Sequence, residues 1–170
     1  MVFLLNKALL MEIVVVEPYN IYHRYYMAYK TFFFPTNMNK YVGDPQHILC
    51  RSLWERRFCK YLDENIKILK WGFETIKIPY LSPIDNKVHY YIPDFIIETE
   101  NADKIKDITI IEIKPNKQTK EPTPRRKKNN RAFIQECTTY SINISKWNTA
   151  SDYCIKRGWK FKILTEKDLF

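Results

Sequence analysis

Three side chains in this sequence have the types and spacing to do chemistry together: Asp94, Glu112 and Lys114. Asp94 lies in Tyr91-Ile92-Pro93-Asp94-Phe95, and the other two lie eighteen and twenty residues further on, in Ile111-Glu112-Ile113-Lys114-Pro115. Both stretches read as apolar β-strands interrupted by charge, and a charge persists in such a setting only when something compensates it. Strand side chains alternate faces, so Glu112 and Lys114 project together while Ile111 and Ile113 point the other way. If the two strands pair as neighbours, Asp94 sits beside Glu112, and two carboxylates that close push one pKa up. A hard divalent cation, Mg²⁺ or Mn²⁺, removes the conflict, because it takes oxygen ligands and keeps waters that can be activated. The Lys114 ammonium is then placed to orient the attacking water or to stabilise charge developing on a phosphate.

The elements that must position these residues follow from pattern. Ser52 and Glu55 match a capping box that opens a helix, with Leu53, Trp54, Phe58, Tyr61 and Leu62 as its apolar stripe. Glu55 therefore has two readings, the cap itself or a further acidic ligand facing the strands, and the two compete for one side chain. Alternation at Thr75-Ile76-Lys77-Ile78 predicts a strand over residues 66–80. Ser82-Pro83-Ile84-Asp85-Asn86-Lys87 carries turn chemistry, which predicts an antiparallel return over residues 88–98. A polar turn over 99–106 leads into a third strand at 107–114. Residues 132–157 read as a long helix, with Gly158 as its stop and a strand at 159–164 returning parallel to the sheet. Upstream, residues 29–45 read as an extended aromatic arm over the core.

At 170 residues the chain suits one domain, assigned to residues 29–170, with residues 1–28 as an N-terminal extension of no assigned role. The formal charge is +9. Lys117, Lys120, Arg125, Arg126, Lys127, Lys128 and Arg131, against Glu121 alone, put +6 of it in the loop at 115–131, directly after Lys114. That placement points to contact with a phosphate backbone. Gln135, Asn143 and Lys146, on the helix that follows, lie where they could touch nucleic acid.

Composition also excludes classes of function. Cys50, Cys59, Cys137 and Cys154 have neither C-x-x-C spacing nor disulfide-scaffold density, and read as reduced thiols of a cytosol-like compartment. His23, His47 and His89 stand singly, which gives no zinc constellation. No run of roughly 18 apolar residues suggests a membrane span, and the apolar opening, broken by Asn6, Lys7 and Glu12, lacks a basic leader.

Pro93-Asp94 followed by Glu112-x-Lys114 resembles the signature of the PD-(D/E)xK nucleases. The element order, helix-strand-strand-strand-helix-strand on a mixed sheet, resembles that superfamily's restriction-endonuclease-like α/β core. A narrower resemblance runs from Tyr29 to Glu166. Lys40-Tyr41-Val42-Gly43-Asp44-Pro45, Arg51-Ser52-Leu53-Trp54-Glu55, Ile78-Pro79-Tyr80-Leu81-Ser82-Pro83-Ile84-Asp85, Lys146-Trp147 and Gly158-Trp159-Lys160-Phe161 are similar to the head-completion nucleases of T-even-like tailed phages. TnsA-type endonucleases are similar in plan over less of the chain.

The resemblance implies a Mg²⁺-dependent deoxyribonuclease, expected to be an endonuclease, with Glu55, Asp94, Glu112 and Lys114 as its catalytic set. Glu55, Asp94, Glu112 and the Ile113 carbonyl would hold metal. The implied substrate is double-stranded DNA, processed at its packaged end before tail joining. The implied partners are head or neck proteins rather than a membrane, and the implied place is the host cytoplasm during assembly and then the virion head or neck. The alternative is a non-catalytic head or neck assembly factor, or a DNA-binding factor, since fold and motif do not by themselves establish activity.

Overall fold

The computed structural model describes residues 30–101, 103–124 and 130–169. The expectations for the extension at 1–28 and for Arg125, Arg126, Lys127 and Lys128 lie outside them. Two short strands, β1 (Thr31–Phe33) and β2 (Ile48–Cys50), pair antiparallel and precede helix α1 (Leu53–Glu64). Then come β3 (Ile68–Phe73), β4 (Ile78–Leu81), β5 (Val88–Tyr91), β6 (Phe95–Glu100) and β7 (Lys106–Ile113). Helix α2 (Asn130–Ile155), β8 (Lys160–Leu164) and one turn, α3 (Glu166–Leu169), complete the chain. Among the described residues no helix is long and apolar enough to cross a membrane.

The main sheet has the order β3-β6-β7-β8, with β6 antiparallel to both β3 and β7, and β8 parallel to β7. Strand β7 lies inside it, and its residues from Thr109 to Ile113 are all buried. Alternation sorts them by face. Ile111 and Ile113 join Phe58, Leu62, Trp71 and Phe95 in a core under α1. Ile110 joins Trp147, Ala150, Cys154, Tyr80 and Tyr91 in a second core under α2. The sheet is thus the middle of three layers, and Glu112, sharing the face of Ile110, points into the α2 side. Cys50 and Cys59 face each other in the first core as thiols, their sulfurs 3.7 Å apart.

The expected meander of three long strands is corrected in one respect. The first two strands each break, and the pieces separate into the main sheet (β3 and β6) and a distinct antiparallel hairpin (β4 and β5). One break falls at Glu74, whose backbone is left-handed (φ 53°). The other falls at Pro93, which has no N–H to give a ladder. Because the breaks lie opposite each other, the hairpin bends away as a unit. It packs on α2, where the Ser145 hydroxyl donates to the Leu81 carbonyl at 2.7 Å.

The arm also contains more order than an extended chain. Asp63, buried to 2% exposure, accepts from the N–H groups of Thr36 (2.8 Å) and Asn37 (3.2 Å). Beyond that anchor Val42 donates to the Trp71 carbonyl at 2.7 Å, which covers the outer edge of β3. Helix α1 begins where its capping box predicts. Helix α2 starts at Asn130, two residues before the expectation, and the chain turns out of it at Gly158, at φ 68°.

Candidate active site

Asp94 occupies the position just before β6, and the β6–β7 register decides what it faces. Phe95 pairs with Ile111, so one residue further along the ladder Asp94 comes opposite Glu112, on the α2 side of the sheet. Two backbone contacts fix it there: its Oδ2 accepts from the Ile113 N–H at 2.7 Å, and its carbonyl accepts from the Glu74 N–H at 2.9 Å. Glu112 is only 4% exposed. Its Oε1 lies 2.9 Å from the Lys114 Nζ, and its Oε2 accepts from the Tyr91 hydroxyl at 2.7 Å. The same-face pairing of Glu112 with Lys114 follows from strand periodicity; the Tyr91 contact exists because the hairpin bends over the sheet.

Burial pushes the Asp94 carboxyl up to about 8, and the negative Glu112 across the ladder adds to the effect. Lys114 and the Ile113 N–H pull it back, and Glu55 contributes a smaller upward push. Burial, then Glu112, holds the Tyr91 phenol far above its ordinary range, so it remains a hydrogen-bond donor at physiological pH. Lys146, half-buried on α2, sits with its ammonium 5.6 Å from the Tyr80 ring centre and 5.9 Å from that of Tyr91. Desolvation lowers its pKa, while Glu112 opposes that shift and Lys114 reinforces it, so Lys146 belongs to the same electrostatic cluster. Tyr91 and the closeness of Lys146 to Glu112 had no sequence signal beyond ordinary apolar and helical spacing.

The donor set is all oxygen and carries a charge conflict that a hard divalent cation would relieve. Such an ion commonly takes one or two carboxylates and completes its shell with water, which Asp94, Glu112 and a backbone carbonyl such as that of Ile113 could supply. Glu55 is placed differently from the expectation of a metal ligand. Its backbone N–H donates to the Ser52 Oγ at 3.1 Å, its Oε1 accepts from the Ser52 hydroxyl at 2.9 Å and its Oε2 from the Arg51 N–H at 2.7 Å. Among the described residues no three His, Cys, Asp or Glu side chains converge as a metal-binding group. Here the cap holds the side chain, and Glu55 reaches the cluster through its charge.

Of the basic residues, Lys117 and Lys120 are exposed on the segment that leaves β7, and Arg131 is exposed on the first turn of α2. A 3₁₀ turn, Asn116–Thr119, carries that segment, tied down where the Asn116 N–H donates to Glu166 at 2.8 Å.

The ends of two inner strands thus offer two opposed carboxylates and a lysine, and they fall within a match to a known family. Residues 65–166 fit the family model described as TnsA-like endonuclease N terminal. The chain belongs to the TnsA-like endonuclease family. The TnsA-like match spans β3 to β8 and so includes Asp94, Glu112 and Lys114, while Glu55 on α1 lies before it. Over 149 residues the chain is also 40% identical to the head completion nuclease of Enterobacteria phage T4, covering 84% of this chain and 95% of that protein. The arrangement of α1, the mixed sheet and α2 is accordingly the restriction-endonuclease-like α/β fold expected from the sequence, with the far ends of its first two strands bent away as the β4–β5 hairpin.

Proposed function

We propose that this chain is a nuclease of phage head completion that hydrolyses DNA phosphodiesters with the help of Mg²⁺. The observation that carries the chemistry is the opposition of Asp94 and Glu112 on adjoining strands, with Lys114 2.9 Å from Glu112. Asp94, Glu112 and the Ile113 carbonyl would hold the ion, with Mn²⁺ as a substitute, and the ion when bound supplies Lewis acidity and a water of lowered pKa. Lys114 is suited to orient the attacking water and to stabilise charge on the phosphate oxygens. Tyr91 fixes the Glu112 carboxylate through its hydroxyl, and Glu55 adds negative charge from the start of α1.

Lys117, Lys120, Arg125, Arg126, Lys127, Lys128 and Arg131 would grip double-stranded DNA by its phosphates, positioning it without reading bases. The phage T4 relative's name supports head completion as the setting; within it, our reading is trimming or completing of the packaged DNA end before tail joining, against head or neck proteins, in the host cytoplasm during assembly and then in the virion. In this reading residues 29–170 act as one catalytic unit.

The test is cleavage of linear, branched and closed-circular duplex DNA, with Mg²⁺ and with a chelator, by the wild type and by Glu112→Ala and Lys114→Ala. Cutting that needs Mg²⁺ and falls by roughly 10²-fold or more in both variants is expected. Nicking or linearising the closed circle would mark an endonuclease, and loss of terminal nucleotides alone an end-trimming enzyme. Equal inactivity of all three proteins on every substrate, with DNA binding retained, would end the nuclease reading in favour of a DNA-binding assembly factor.

A further inference from the structure

Helix α2 is longer than the sheet it packs on. Its 26 residues span about 39 Å at 1.5 Å per residue, whereas the five residues of β8 span about 17 Å. Trp147, Ala150 and Cys154 in its second half are buried in the core beneath it. The first half projects past the strands, and between it and the segment leaving β7 lies a groove of about 470 Å³. That is within the usual range of small-ligand sites, roughly 300–1,000 Å³, and too small for stacked base pairs.

Both walls of the groove lead along the chain to the carboxylate site. Lys117, on one wall, is three residues past Lys114; Asn143, on the other, is one helical turn before Lys146, which feels the charges of Glu112 and Lys114. Its lining has the character of a base-binding site. Tyr140 offers an aromatic face, and Gln135 and Asn143 offer carboxamides that can both donate and accept. Asn143 is 8% exposed and lines the groove at the end nearer Lys146, where its carboxamide can both donate to and accept from the edge of a base. Charge selects what enters. Glu121 and Glu136 also line the groove, where they would repel a phosphate but can accept from the exocyclic amino group of cytosine or adenine. Lys117 and Lys120 can hold the phosphates that flank it.

We infer that this groove binds a single unpaired nucleotide at a DNA strand end, its base stacked on Tyr140 and read along its edge by Asn143 and Gln135. A strand would then have to be frayed by one nucleotide to seat its neighbouring phosphate at Asp94 and Glu112, which makes an unpaired end the preferred substrate. The inference deepens the nuclease reading and rests on it for the identity of the ligand as DNA.

The test compares duplexes that differ at one position: a blunt end, an end carrying one unpaired cytidine, and an end carrying one unpaired abasic residue. Fluorescence anisotropy with Lys114→Ala as the binding protein gives their affinities, and wild type with Mg²⁺ gives their cleavage rates. The unpaired cytidine is expected to bind roughly tenfold more tightly than the abasic end, the ordinary effect of one stacked base. Tyr140→Ala should erase that difference between the cytidine and abasic ends, and Tyr140→Phe should retain it. Equal binding of the cytidine and abasic ends overturns the inference without any groove variant having to fold, and a difference that survives Tyr140→Ala overturns it too. Failure of the nuclease reading looks different: no cleavage of any duplex by wild type, whatever the ends do to affinity.

Discussion

Asp94 is the residue on which the site's electrostatics turn. An aspartate in an unfolded chain titrates near 3.9, whereas burial and Glu112 push this one up to about 8. Between those values the folded chain holds a proton that the unfolded chain has released, so stability is lost as pH rises through that window. Asp94→Asn removes the titration while keeping the shape. In chelator the variant should melt close to wild type at pH 4 and clearly above it at pH 8.5, followed by thermal denaturation. Mg²⁺ should raise the melting temperature of wild type at pH 8.5 and do little for the variant, because the ion replaces the proton between the carboxylates. A gap between the two proteins that does not change with pH would mean that Asp94 is not carrying this charge conflict.

At the scale of elements, the site depends on how β3 is held. It is the outer strand of the main sheet, and the Asp63-anchored arm covers its edge. Gly72 lets the arm come this close, since a Cβ there would lie 3.0 Å from the Val42 carbonyl oxygen and 2.7 Å from Thr75 Oγ1. The threonine could rotate, but the carbonyl belongs to a backbone whose N–H is bonded to Trp71. Gly72→Ala should therefore cost about 1–3 kcal/mol through overpacking, read as a lower urea midpoint at unchanged slope. An unchanged midpoint would show that the arm is displaced without loss. The next turn of chain carries Glu74, whose N–H holds the Asp94 carbonyl, so damage at this edge should extend to Asp94 and Glu112.

For the whole molecule, the governing quantity is a +9 charge with +6 of it in residues 115–131, the loop and the first turn of α2. Binding through phosphates releases counterions, so log affinity should fall linearly with log salt, with a slope of about −0.9 for each phosphate neutralised. Lys117→Ala and Lys120→Ala should each weaken DNA binding alike across sequences and flatten the slope by about 1. A weaker affinity at unchanged slope would mean that these lysines act by packing rather than by touching the backbone.

The sequence by itself determined what depends on local backbone periodicity and local chemistry. Glu112 and Lys114 share a face because strand side chains alternate, and Ser52 with Glu55 opens α1 because a capping box satisfies its own N–H groups. The long helix stops where Gly158 can turn left-handed. Only the tertiary structure shows what the Glu55 carboxylate touches in this arrangement, the Ser52 hydroxyl and the Arg51 N–H, because both readings were open to the same local pattern. Pro93 was visible as a residue, but not that the break it makes, opposite the one at Glu74, frees a hairpin to fold over the sheet. That bend brings Tyr91 to Glu112 and Lys146 between two tyrosines. It likewise took the packed structure to show that Asp63 anchors the arm and that α2 overhangs the sheet. Such contacts are fixed by competition for burial among segments far apart in the chain, and no local pattern records the outcome.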